Sequence, residues 1–175
     1  MSKKDNTQKN KHSVHFSSES DTWNTPKWLF DELNGIWKFT LDAACLPTSA
    51  LCDKYYTPED NSLIQDWGDN ICFLNPPYSD LKPWLNKSVD AYNNGATVVI
   101  LVPSRTDTQA FQNYAAKYCD CICFIKGRLK FQDPINREES KDSAPFPSCI
   151  IVLDKNLTQE KIDYLKSLGL VMRNI

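Results

Sequence analysis

Long apolar stretches are missing from this chain of 175 residues. No run approaches the ~20 residues needed to cross a bilayer, which excludes a membrane-spanning helix. The first residues, Met1-Ser2-Lys3-Lys4-Asp5-Asn6, have no apolar segment behind them, so no secretory signal is expected. Glycine is sparse, with 5 residues, and none sets up a Gly-x-Gly turn. Histidine is nearly absent. His12 and His15 both lie in a polar stretch, and neither is assigned a catalytic role. Excess positive charge is also absent. The net charge is −2, whereas a nucleic-acid enzyme is more comfortably basic. Cysteine is present, but not in a useful pattern. Cys119, Cys121 and Cys123 alternate, which matches neither a zinc knuckle nor a redox Cys-x-x-Cys pair. No metal is therefore expected, and free cysteine serves as a small buried hydrophobe. The expectation is a soluble cytoplasmic protein, and 41% hydrophobic content is enough for a packed core.

Residues 1–20 are polar and rich in Lys, Ser and Asn, and are expected to be a disordered tail. Its Lys3, Lys4, Lys9 and Lys11 could touch phosphates without reading sequence. Residues 21–175 are expected to form one domain. Thr25 suits a helix N-cap and Pro26 the first helical position. Trp28, Leu29, Phe30 and Leu33 then outline an amphipathic helix. Phe39-Thr40-Leu41 reads as a strand ending at Asp42. The next stretch, up to Asn75, is too short for complete βαβ units. At most one short strand, near Cys52 to Tyr56, is expected in it.

Ile71-Cys72-Phe73-Leu74 is an apolar run of strand type. Asp80 is expected to cap a following helix carrying Leu81, Trp84, Leu85, Val89 and Tyr92, closed by Gly95. Ala96 to Val102 is continuous and β-branched, as a central parallel strand should be. Thr106 or Thr108 starts another helix. Cys121 to Ile125, Leu129 to Phe131 and Ser148 to Leu153 are expected strands. Thr158 caps the last helix. Gln132 to Pro147 is a long polar loop, of the kind that is functional or disordered. The pattern is α/β, with helices on the faces of a sheet. The late strands lack an intervening helix, so one of them is expected to run antiparallel.

The densest chemical signal is Asn75-Pro76-Pro77-Tyr78, at the carboxyl end of a strand, where open α/β sheets bind ligands. Each proline pushes the residue before it into an extended conformation. The Asn75 amide oxygen and the Pro76 carbonyl are then presented together, beside an aromatic face. Two fixed acceptors and a ring suit a planar exocyclic amine, either adenine N6 or a glutamine side-chain amide. The plain alternative is a proline turn after a strand.

Asn75-Pro76-Pro77-Tyr78 resembles the catalytic motif of S-adenosylmethionine-dependent amino-methyltransferases. Asp21-Thr22-Trp23-Asn24-Thr25-Pro26 resembles the opening of the bacteriophage DNA N6-adenine methyltransferase family, which is Dam-like. Leu41 to Cys45, Asp66-Trp67, Pro103 to Thr108 and Gly127 to Phe131 resemble its other signatures in the same order. The resemblance covers about residues 21 to 153. It implies a Rossmann-like S-adenosylmethionine-dependent methyltransferase fold. The sheet would be abbreviated and mostly parallel, with an antiparallel edge strand. It also implies transfer of a methyl group to N6 of adenine in double-stranded DNA, in the cytoplasm of a bacterial host.

By this resemblance Asn75 and Pro76 would accept from the amine, and Pro77 would complete the rigid turn. Tyr78 would stack on an adenine flipped out of the duplex, or is an ordinary core aromatic. Trp23, Thr25 and Pro26 would fold over the cofactor, although Thr-Pro equally marks a helix start. Asp42, Ala43 and Ala44 would bind S-adenosylmethionine without the usual Gly-x-Gly turn; Asp42 could also be only a capping residue. Asp66 would accept from the cofactor adenine, with Trp67 stacked nearby or in the core. Arg105, Arg128, Lys130 and Arg137 are candidates for DNA contact, with Asn136 and Lys141 in the same long loop. Arg105 could equally be a surface arginine in a salt bridge. Two other readings stay open: an amino-methyltransferase of protein glutamine or RNA, and an inactive nucleic-acid-binding relative. A homodimer is left open as well.

Overall fold

The computed structural model describes residues 23–133 and 137–173. The tail of residues 1–20, with Asp21, Thr22 and Asn136, lies outside the described residues. Helix α1, Lys27–Trp37, buries Leu29, Phe30, Leu33 and Trp37 along one stripe. Trp28 does not join that stripe and is 43% exposed. The helix ends at Lys38, which turns left-handed (φ 59°). There the Asn34 side chain accepts from the Phe39 N–H, satisfying a donor that the turn frees. Strand β1, Leu41–Asp42, follows at once.

Between β1 and the strand β2, Ile71–Leu74, there is no α-helix. Two short 3₁₀ turns, Pro58–Asp60 and Ser62–Ile64, occupy the connection instead. The first is held by the Asp60 carboxylate, which accepts from both the Thr57 N–H and the Thr57 hydroxyl. The expected short strand near Cys52 to Tyr56 is present only as a single bridge, Asp42 with Tyr55. The abbreviation inferred from chain length therefore holds: β1 pairs directly and in parallel with β2.

Helix α2, Lys82–Asn93, crosses over to the parallel strand β3, Thr97–Pro103. Asp80 does not cap α2; Leu81 is the N-cap residue and makes no side-chain bond. Gly95 takes φ +112° after the helix, and a Cβ there would meet the Asp69 carboxylate at 2.7 Å. Val98 to Val102 are at most 1% exposed, and full burial of such a side chain stabilises the fold by about 1.5–3 kcal/mol. After β3, Thr108 accepts from the Phe111 N–H and opens a helical segment with a π turn, Phe111–Ala115, and a short helix α3, Ala116–Tyr118.

Strands β4, Cys121–Ile125, and β5, Ser148–Leu153, follow, then helix α4, Gln159–Leu168, and strand β6, Gly169–Arg173. Thr158 caps α4 as expected, accepting from the Lys161 N–H. The sheet order is β1-β2-β3-β5-β4-β6. β5 runs antiparallel to both β3 and β4, and β6 runs antiparallel to β4.

Two expectations are corrected here, and one is met by an unexpected strand. The sheet is not mostly parallel, since two of its five pairings are parallel. The expected antiparallel edge strand is present as β6, which pairs with β4 at the end of the sheet, while a second antiparallel strand, β5, is internal, inserted between β3 and β4, because the chain returns from the long loop without a crossover helix. Leu129 to Phe131 is not a strand; its carbonyls accept singly, Leu129 O from the Ala144 N–H and Phe131 O from the Ser140 N–H, and the Asn24–Gln132 bridge lies just beyond it. β6 was not anticipated; no element was expected after the last helix.

Among the described residues no helix is long and apolar enough to cross a membrane. The core is one continuous cluster that includes Trp37, Phe39, Phe73, Val99, Ile151 and Leu165. The α1 and α4 ends are tied through Asp154. This buried carboxylate accepts from Trp37 Nε1 at 3.0 Å and from Lys161 Nζ at 2.6 Å.

Candidate active site

β1 and β2 are adjacent and parallel, with Asp42 opposite Phe73. Asp42 and Asn75 therefore leave the sheet at the same edge, one from each strand. They open into a shared cavity of about 230 Å3. Trp23, Thr25, Ala44, Pro76 and Pro77 also line it. Seven of the expected site residues thus converge on one space, although 52 residues separate Trp23 from Asn75.

Both N–H groups of the Asn75 amide are engaged. Its Nδ2 donates to the Trp23 carbonyl and, at 2.9 Å, to Thr25 Oγ1. Its Oδ1 accepts from the Tyr78 hydroxyl at 2.7 Å. An amide oxygen has two lone pairs, so one remains for a further donor. Thr25 does not cap α1, contrary to expectation. Pro26 holds the N-cap position with no side-chain bond, and the Thr25 hydroxyl is directed to Asn75 instead.

Asp42 is 2% exposed. Its carboxylate accepts from the Leu51 N–H at 3.0 Å. Burial dominates over that bond and raises its pKa to about 6. Its backbone also exchanges bonds with the 54–56 segment, through Lys54 O and the Tyr56 N–H. Ala43 is buried behind Asp42, and Ala44 reaches the cavity wall.

Tyr78 points away from the cavity into an aromatic cluster. Its ring meets Phe146 at 5.6 Å and Phe131 at 6.3 Å, both edge-on. Trp23 contacts the same two rings, Phe146 at 5.0 Å and Phe131 at 5.3 Å. Burial pushes the Tyr78 phenol well above its ordinary value, so it stays protonated and donates. Stacking on an extruded base requires these rings to separate, because Tyr78 is covered in this structure.

Asp66 and Trp67 lie elsewhere. Asp66 is exposed and accepts from the Gly68 N–H at 2.8 Å. Trp67 is 1% exposed in the core, with Nε1 donating to Ser62 O. Sequence reasoning overlooked Ser62. Its hydroxyl is buried against the cavity and has no partner among the described residues. Its neighbour Asn61, left-handed at φ 48°, lines the cavity as well. The signal was present in the turn residues that precede Asp66, but nothing in them specified an inward-facing hydroxyl.

The charged candidates lie on the segments that follow β3 and β4. β3 ends at Pro103 opposite Ser148 of β5, and Phe124 of β4 pairs with Cys149. Both ends of the long loop therefore emerge on the Asn75 side of the sheet. Arg105 is exposed and donates to the Tyr78 carbonyl at 3.2 Å, so it is not simply a surface salt bridge. Arg128 follows Gly127 (φ 82°) and donates to the Ala144 carbonyl. Lys130, Arg137 and Lys141 are exposed.

The chain matches the family described as DNA N-6-adenine-methyltransferase (Dam) over residues 12–173. It belongs to that family. A DNA N-6-adenine-methyltransferase of Haemophilus phage HP1 is 28% identical over 142 residues, 78% of this chain and 80% of the relative. One of Escherichia phage T1 is 33% identical over 93 residues, 52% of this chain and 39% of the relative. The putative methyltransferase YfdM of Escherichia coli K12 is 35% identical over 83 residues, 43% of this chain and 87% of the relative.

Proposed function

We propose that the Asp42–Asn75 cavity is where this family member brings S-adenosylmethionine and a flipped adenine together. The observation that carries this is the placement of Asn75 beside Asp42 at the carboxyl ends of adjacent parallel strands, on one cavity. That is the ligand-binding edge of an α/β sheet, and it supports the Rossmann-like reading of the fold.

The cavity chemistry fits the cofactor. Ser62 offers an orphaned buried hydroxyl, Asp42 a buried carboxylate, and Phe73, Leu51 and Trp84 apolar walls. Ribose hydroxyls or an ammonium can donate to Asp42, and a polar group of the nucleoside can satisfy Ser62. When bound, S-adenosylmethionine supplies a methyl group already activated by a positive sulfur.

The protein's own work is to position the amine. The free lone pair of Asn75 Oδ1 and the Pro76 carbonyl accept from adenine N6–H. These bonds strengthen as the nitrogen pyramidalises and its lone pair leaves the ring, so they favour the transition state. No general base is assigned, because the amine becomes acidic once methylated and its proton can leave to water. The duplex is held at the rim by Arg105, Arg128, Lys130 and Arg137, and the base is extruded toward Asn75. Such an enzyme acts on DNA in a bacterial cytoplasm.

The test is incubation with methyl-labelled cofactor and separate pools of duplex DNA, RNA and protein, followed by mapping of the modified atom. N6-methyladenine in DNA supports the proposal. Label confined to RNA or protein glutamine overturns it.

A further inference from the structure

Thr25 lines the cavity, and residues lining a cofactor cavity are expected to point their polar atoms at the cofactor. The geometry gives its hydroxyl another task. Thr25 is 4% exposed, and Oγ1 accepts from Asn75 Nδ2 at 2.9 Å. The Trp23 carbonyl accepts from the same nitrogen. A primary amide carries two N–H groups, and these two acceptors engage both. Oδ1 is thereby confined to the opposite edge, where the Tyr78 hydroxyl meets it. Turning the amide over would set its oxygen against the lone pairs of the Trp23 carbonyl and leave buried acceptors unmade.

The acceptors are themselves held in place. Gln132 N–H donates to Asn24 O, the residue between Trp23 and Thr25. The Trp23 ring is wedged between Phe131 and Phe146. Pro26 begins the first turn of α1 just beyond Thr25, its carbonyl accepting from the Phe30 N–H. The segment leading into α1 is thus pinned from the long loop on one side and grips Asn75 on the other. The missing side-chain cap on α1 follows from the same choice, since the Thr25 oxygen is committed to Asn75.

We infer that Thr25 is a positioning residue for methyl transfer. It holds the Asn75 amide so that Oδ1 faces the amine being methylated. The inference rests on the functional reading above. It differs from that reading in assigning Thr25 to the orientation of Asn75 rather than to binding of the cofactor.

Thr25→Val keeps the shape and removes the acceptor; Thr25→Ser keeps the acceptor. The Val variant should lose about tenfold in kcat, the worth of one hydrogen bond made at the reacting group. Its KM for DNA and its calorimetric affinity for S-adenosylmethionine should stay within twofold of the parent. The Ser variant should recover kcat. Independently of turnover, hydrogen exchange of the Asn75 side-chain amide protons, followed by NMR, should speed up in Thr25→Val and return in Thr25→Ser. Thr25→Ala serves the same comparison if the Val variant does not fold. Unchanged kcat with unchanged amide exchange overturns the inference. So does a weaker cofactor affinity with kcat preserved at saturation, which would make Thr25 a cofactor ligand. If the parent protein transfers no methyl group to DNA, the functional reading fails by itself. The amide exchange then still decides whether Thr25 positions Asn75.

Discussion

The Tyr78 hydroxyl donates to Asn75 Oδ1 at 2.7 Å, so the motif's aromatic residue is bonded to its own amide. The bond takes one lone pair of the oxygen proposed to accept from adenine and leaves the other. Tyr78→Phe should keep the ring packing and lose only this bond. Stability should fall by about 1 kcal/mol, and turnover by less than tenfold. Thermal melts and steady-state rates check both. Turnover as low as that of an Asn75 variant would make the hydroxyl a participant in the chemistry.

Asn75→Ala removes both the oriented acceptor and the donor that engages Trp23 and Thr25. Turnover should be abolished, while cofactor affinity, read by calorimetry, should change little, since the lost bond strengthens only as the amine reacts. Near-normal turnover would refute the assignment of Asn75.

Asp42 carries a pH dependence. Its pKa is raised to about 6 by burial, so the folded state binds a proton that the unfolded chain has already released. Stability from this group therefore falls as pH rises from about 4 to 6, and the cost, about 3 kcal/mol, is complete above 6. Asp42→Asn should stabilise the apo protein at pH 7 by up to that amount and remove this part of the pH profile. The same variant should bind S-adenosylmethionine more weakly. In the parent protein, cofactor affinity should drop about tenfold per unit below pH 6, because binding to donors requires the carboxylate. Affinity that is flat from pH 5 to 8 would place the cofactor's donors elsewhere.

Ser62 Oγ, on the cavity wall, has no hydrogen-bond partner among the described residues. Ser62→Ala should leave the apo melting temperature nearly unchanged or raised, since an unsatisfied group is removed. Cofactor affinity should fall about three- to tenfold. Asp66→Ala, at an exposed residue outside the cavity wall, should change that affinity by less than twofold. The reverse pattern would move the nucleoside toward Asp66.

Lys130 and Arg105 should separate on DNA. Lys130→Ala should weaken binding evenly across sequences and reduce the salt slope by about one. Arg105→Ala should also lower turnover, because its guanidinium holds the Tyr78 carbonyl. Equal kcat in both variants would detach Arg105 from the motif.

The chemistry-bearing motif and the strands behind it were legible in the sequence. Asn75-Pro76-Pro77-Tyr78 follows an apolar run, and Val98 to Val102 is continuous and β-branched. Such signals are local, set by proline geometry and side-chain period. The abbreviation between β1 and β2 was also legible, because the two crossover helices of a full half-sheet do not fit between Asp42 and Asn75. The sheet order was not. Where β5 inserts and whether residues 169–173 form a strand depend on pairing energies between distant segments. A helix pattern ending in Leu168 does not encode them.

The same limit applied within the site. Thr25 before Pro26 has the local form of a cap, and local preference was overridden when Asn75 came within 2.9 Å of its hydroxyl. Trp67 and Tyr78 carry the same ambiguity between core and cavity in sequence. Packing sent one behind Ser62 and the other among Phe131 and Phe146. The sequence by itself determined the Asn75-Pro76-Pro77-Tyr78 motif and its place at the end of a strand. Only the tertiary structure decided which of them face the cavity and which hold the others in place. A hydrogen bond between residues 50 positions apart depends on the whole sheet that brings them together.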